Sequence, residues 1–111
     1  MRLSGRLFRE SPDVIRAWRG MDGAVMKNAS LTVATKELIA IGIAIAIRCD
    51  GCIAYHVKAA IDAGATREQI IETIGVAIYM GGGPSSVYGC EALKALDQFT
   101  STAEETNRES A

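Results

Sequence analysis

Large rings are scarce in this chain of 111 residues, where two Phe, one Trp and three Tyr make up 5% of the total. A core built on aromatic stacking is therefore excluded. The 49% apolar share rests on Ile, Ala, Val and Leu instead. Small and branched apolar side chains suit tightly packed helices, and subunits that complete their cores by association. Charge of either sign is not in surplus: 12 basic against 13 acidic residues leave a formal net charge of −1 and a pI of about 5.8. That balance steers the chain neither to nucleic acid nor to an anionic membrane. Long apolar runs are absent too. The longest, Leu38 to Ile47, has ten residues, about half of what a spanning helix needs. The first residues, Met1 to Glu10, have basic groups but no apolar stretch of signal-peptide length. The expectation is one domain over 1–111 in the cytoplasm. Three cysteines and one histidine are too few for a disulfide framework, and two of the cysteines stand as C-x-x-C. In a reducing compartment that spacing points to redox or metal chemistry.

Only two prolines interrupt the chain, and both sit where a helix can begin. Ser11-Pro12 reads as a cap followed by the first helical position, and Val14, Trp18, Met21, Val25 and Met26 recur at helical spacing to about Asn28. Thr32 is the next cap, ahead of a segment from about Ala34 to Arg48. In that segment Ile39, Ile41, Ile43, Ile45 and Ile47 alternate as in a strand. The intervening Ala40, Gly42, Ala44 and Ala46 are apolar as well, so a helix buried on nearly all sides fits equally well. A helix from about Gly51 to Ala63 stops at Gly64 in the position after the cap. Thr66 to Gln69 is a capping box, opening a stripe of Ile70, Ile71, Ile74, Ala77 and Ile78. Gly81-Gly82-Gly83-Pro84 breaks that helix. It lacks the Lys-Ser/Thr of a phosphate loop. Val87, Cys90, Leu93, Leu96 and Phe99 mark the apolar face of a last helix, which makes Cys90 a buried, inert thiol. From Thr100 the chain turns polar and is expected to fray. The pattern predicts an all-α domain of five to six helices, with its core at about 31–99. Tyr55, Tyr79 and Tyr88 can each pack or line a cavity.

Chemistry is concentrated in the run Cys49-Asp50-Gly51-Cys52-Ile53-Ala54-Tyr55-His56. With a helix starting near Gly51, Cys52 falls in its first turn, where backbone N–H groups and the helix dipole favour a thiolate. His56 follows four residues later on the same face, the arrangement by which a base activates a thiol. Cys49 can then close a disulfide onto oxidised Cys52. Zinc is the rival ligand of such a set. It needs a fourth donor, for which Glu37 or a neighbouring subunit is the source, and the chain has no second C-x-x-C or H-x-x-x-H.

Taken with Lys36-Glu37-Leu38-Ile39-Ala40 and Ala63-Gly64-Ala65-Thr66-Arg67-Glu68-Gln69-Ile70, this run resembles the carboxymuconolactone decarboxylase-like superfamily, specifically its AhpD-type alkylhydroperoxidase branch. The pattern E-x11-C-x2-C-x3-H is met by Glu37, Cys49, Cys52 and His56, and the similarity runs from about Leu31 to Phe99. The resemblance implies an all-α bundle assembled as a trimer or hexamer, and it implies helix for the Ile-Ala segment. It implies Cys52 as attacking thiolate, Cys49 as resolving thiol, His56 as base and Glu37 as part of a proton relay. Twelve residues of straight helix cover about 18 Å, so Glu37 needs a packed neighbouring segment, from this chain or another subunit, to reach the thiols. One departure stands out: the AhpD proteins have a second histidine where this chain has Gly51.

These residues lead to a thiol peroxidase or disulfide oxidoreductase. It acts on hydroperoxides and is reduced by a dithiol of lipoyl or thioredoxin-like type, with no cofactor and no metal. Two alternatives are a lactone decarboxylase, against which the C-x-x-C argues because the decarboxylases of the superfamily lack it, and a non-catalytic redox sensor, which stays open.

Overall fold

The computed structural model describes residues 2–110, with side chains described for residues 5–101. Six α-helices fill the described residues: α1 (Arg2–Glu10), α2 (Pro12–Val25), α3 (Val33–Ala46), α4 (Asp50–Asp62), α5 (Arg67–Gly81) and α6 (Gly83–Ser110). They fall into two compact units, Met1–Ser30 and Leu31–Ala111. The all-α fold read from the sequence is the fold observed.

The first unit pairs α1 with α2. Helix α1 is the sixth of the five to six helices that the sequence pattern predicts. Ser11 stands before Pro12 as read, but its side chain makes no capping bond. The Arg19 guanidinium lies 4.4 Å above the Phe8 ring, a cation–π contact. Helix α2 buries no residue: Val14, Trp18, Met21 and Val25 form an exposed apolar stripe.

The second unit holds the core. Around it the four helices follow the order α3, α4, α6, α5, so that α4 and α5, consecutive in sequence, stand at opposite corners. The five isoleucines of α3 separate by face. Ile41 and Ile45, one turn apart, are fully buried, whereas Ile39, Ile43 and Ile47 are exposed. The period-two pattern is thus two helical stripes of period four, one of them left uncovered rather than buried on nearly all sides. Ile53, Val57 and Ala60 of α4, Ile70, Ile74 and Ala77 of α5, and Ala92, Ala95 and Leu96 of α6 complete the core. Each fully buried Ile or Leu contributes about 1.5–3 kcal/mol.

The caps explain where these helices begin and end. Thr32 Oγ1 accepts from the Thr35 N–H at 3.2 Å. Thr66 Oγ1 accepts from the Gln69 N–H at 3.1 Å, and Gln69 Oε1 accepts from the Thr66 N–H at 2.9 Å, closing the capping box. Gly82 alone joins α5 to α6, at φ 74° and ψ −153°, a conformation open essentially to glycine only.

Two expectations for α6 need correction. Its buried face is Ser85, Gly89, Ala92, Ala95 and Leu96, not the row of Val87, Cys90 and Leu93. Small residues face inward because α6 runs close to α5: a Cβ placed on Gly89 would stand 2.9 Å from Ile74 Cγ2. Cys90 is consequently an exposed free thiol. The backbone of α6 also continues helical to Ser110, since no Gly or Pro follows Gly89 to stop it.

Candidate active site

The connection between α3 and α4 is three residues long, Ile47-Arg48-Cys49, and every one of them has a structural task. The Cys49 N–H donates to Ala44 O at 3.0 Å and the Arg48 N–H to Ile45 O at 3.2 Å. This pair of bonds is a Schellman ending, which needs a left-handed residue in the position after the cap. Arg48 occupies it, at φ 62°, and is the only non-glycine among the described residues with a positive φ. The turn delivers Cys49 directly to the N-cap of α4. There its Sγ accepts from the Cys52 N–H at 3.3 Å, as a Ser or Asp oxygen does at ordinary caps.

Cys49 and Cys52 are joined as a disulfide, with Cα atoms 5.2 Å apart. Both are half-buried. One turn further along α4, His56 Nδ1 lies 2.6 Å from Glu37 Oε2. The short loop folds α4 back along α3, so Glu37 and His56 meet although 19 residues separate them. The neighbouring segment that Glu37 requires is therefore its own chain's α4. No second subunit is needed.

Glu37 is buried, its side chain 7% exposed against 23% for His56. A carboxylate so enclosed is tolerated only with a close partner, and the imidazole supplies it. With Glu37 ionised, Nδ1–H donates to it and the Nε2 lone pair is left free, so the carboxylate fixes both tautomer and ring orientation. Tyr55 stands edge-on to the same ring, centroids 5.0 Å apart and planes at 85°, with 63% of its surface exposed. The sequence left Tyr55 undecided, and its contact with His56 follows only from the fold. Tyr79 is exposed, and Tyr88 packs against the core. Gly51, between the cysteines, has no heavy atom within 4 Å of the place a Cβ would take.

A half-buried thiol pair, a helix N-terminus and an imidazole backed by a carboxylate can together exchange electrons and protons. The sequence matches a known group of proteins over most of its length: the model of the carboxymuconolactone decarboxylase family covers residues 12–95. The chain belongs to that family. An uncharacterized protein of Cupriavidus necator is 39% identical to it over 93 residues, which are 84% of this chain and 82% of that protein. A family member from Legionella pneumophila, known from its crystal structure, superposes with a TM-score of 0.85 at 40% identity, covering 88% of both chains. A second, from Thermotoga maritima, superposes with a TM-score of 0.76 at 28% identity, covering 82% of this chain and 94% of that one. For the Thermotoga protein a part in the antioxidative response has been suggested. Among the described residues of this family member no helix is long and apolar enough to cross a bilayer.

Away from the thiols, α3 and α5 border a groove of about 430 Å³ lined by Ile39, Gly42, Ile43, Val76 and Met80, among others. No charged side chain lines it.

Proposed function

We propose that this protein is a thiol-dependent peroxidase of the AhpD type, working through Cys52, Cys49, His56 and Glu37. The observation that carries the reading is the bonded Cys49–Cys52 pair one helical turn from a carboxylate-backed imidazole. In the reduced enzyme His56 Nε2 takes the Cys52 proton, and the thiolate attacks the terminal oxygen of a hydroperoxide. The O–O bond breaks, Cys52 becomes a sulfenic acid, and the alkoxide takes the proton back from His56 and leaves as alcohol. Cys49 then attacks the Cys52 sulfur, water leaves, and the disulfide closes. A dithiol of lipoyl or thioredoxin-like type restores both thiols by exchange and is itself oxidised to a disulfide. Glu37 stabilises the imidazolium that forms twice in the cycle.

The same reading includes a cytoplasmic homo-oligomer, trimer or hexamer. Its support is the uncovered apolar surface: Ile39 and Ile43 on α3, Val76 and Met80 on α5, and Trp18 on α2 are all about half exposed or more. Sedimentation at micromolar concentration tests this part by itself, and a monomer would overturn it.

The decisive experiment measures consumption of an organic hydroperoxide with dihydrolipoamide as reductant. Cys52→Ser should fall to the rate of reductant alone. Activity equal to wild type would sink the proposal. A disulfide that forms and reverses without turnover would point to a redox sensor, and lactone decarboxylation surviving loss of both thiols to the enzyme for which the family is named.

A further inference from the structure

The strained residue of the second unit stands beside its chemistry. A left-handed φ costs an ordinary L-residue about 1–2 kcal/mol, and glycine removes that cost. Helix α4 ends on glycine in the same geometry: the Ala65 N–H donates to Ala60 O and the Gly64 N–H to Ile61 O, both near 3.0 Å, with Gly64 at φ 98°. Helix α3 keeps an arginine. The Arg48 side chain is exposed, and among the described residues no ion pair or side-chain hydrogen bond holds its guanidinium. Its neighbour in the chain is Cys49.

We propose that Arg48 is a positioning residue for the resolving thiol: its left-handed turn seats Cys49 at the N-cap of α4, and its cation holds Cys49 as the thiolate that closes the disulfide. The proposal rests on the thiol reading above. In the step it serves, His56, neutral again once the alcohol has left, takes the Cys49 proton; Cys49 S⁻ then attacks the sulfur of Cys52–SOH and the S–O bond breaks. The departing hydroxide takes a proton from His56 and leaves as water. Cys49 is oxidised and the Cys52 sulfur reduced, each ending as one half of the disulfide.

Other charges act on Cys49. Asp50 follows it in the first turn of α4 and, as an anion, opposes the thiolate. Glu91 and Lys94 of α6, one of each sign, line a cleft with Asp50. Glu37 of α3 and His56 of α4 are paired. Arg48 is the cation next to Cys49 in the chain, opposite in sign to Asp50 on its other side. A purely structural alternative exists, because a cation after the last turn of α3 also favours the helix dipole. The two roles separate in the thiol's titration.

The test uses a single-thiol protein, Cys52→Ser with Cys90→Ser. The Cys49 Sγ cap survives in it, because its donor is the backbone N–H of residue 52. The pH dependence of Cys49 alkylation by iodoacetamide is then measured with Arg, Lys, Gln or Gly at position 48. Gly and Gln should move the midpoint up by about half a pH unit, about threefold less thiolate at a fixed pH below it. Arg48→Lys should leave it in place. A midpoint unmoved by both Gly and Gln, or moved as far by Lys, would overturn the proposal. No peroxide is involved, so failure of the peroxidase reading and failure of the Arg48 role give different results.

Discussion

Helices α3 and α4 end with the same two hydrogen bonds and the same left-handed residue, yet one uses Arg48 and the other Gly64. After Gly64 the chain needs only to turn, and two residues later it meets Thr66, the first half of a capping box. After Arg48 it enters the disulfide, and the residue following the turn must also cap the next helix through sulfur. Where the turn is only a turn, the residue that fits the backbone best stands there. Where the turn presents a thiol, the backbone carries strain and the side chain brings a charge. Strained residues gather at functional sites for this reason, and this protein holds both versions of one motif within a single helical hairpin and its exit.

The largest effect is expected from breaking what the α3 end serves while leaving both turns untouched. Glu37→Gln keeps the shape of the buried side chain but removes the charge that orders the His56 ring. Hydroperoxide turnover should fall by about 10²–10⁴-fold, the usual worth of a positioned base. The helix content seen by circular dichroism should stay as it was. A rate within twofold of wild type would show the 2.6 Å Glu37–His56 contact to be structural only.

A smaller gain should follow from filling the open space at the α4 start. Gly51 has room for a side chain, and it occupies the place of the second histidine in AhpD proteins. Gly51→His should raise turnover by about tenfold, below the full contribution of a base because the new ring has no carboxylate to orient it. It should also stabilise α4 by up to about 1 kcal/mol, since glycine is costly inside a helix. Loss of turnover in a folded variant would mean that the space is used by substrate.

How much of this was legible beforehand varies with the range of the interaction. Thr32, Thr66 with Gln69, Gly64 and Pro84 act within four residues of themselves, and their caps and stops stand where the local rules put them. Cys49, Cys52 and His56 lie within about two turns of helix, so their grouping was legible too. Glu37 was readable as a candidate zinc donor and, through family resemblance, as a relay member, but its route to His56 depends on a loop closing at Arg48. No local rule puts a non-glycine residue there in the left-handed region. The inward face of α6 was misread for a related reason. Size suggested Val87, Cys90 and Leu93, but the closeness of α5 at Gly89 selects small residues, and closeness is set by packing rather than by periodicity. The full length of α1 had no capping signal to announce it.

The smallest expected effect tests the comparison itself, by measuring stability at the two turns. Gly64→Ala introduces left-handed strain of about 1–2 kcal/mol, partly offset by about 0.4–1 kcal/mol from a less flexible unfolded chain. The net cost is about 1 kcal/mol, or about 4–8 °C in Tm for a domain of this size, with no change at the thiols. Arg48→Gly reverses those terms and also removes a cation that favours the end of α3, worth about 0.3–1 kcal/mol. Its net effect on Tm should therefore be a rise of at most a few degrees, or none. The two turns differ most clearly when both readings are taken on the same variants, under reducing conditions. Gly64→Ala should move Tm and leave the Cys49 titration alone, while Arg48→Gly should do the opposite. If Arg48→Gly instead lowers Tm as far as Gly64→Ala does, the arginine stands at its turn for the fold, and the contrast between the two helix ends disappears.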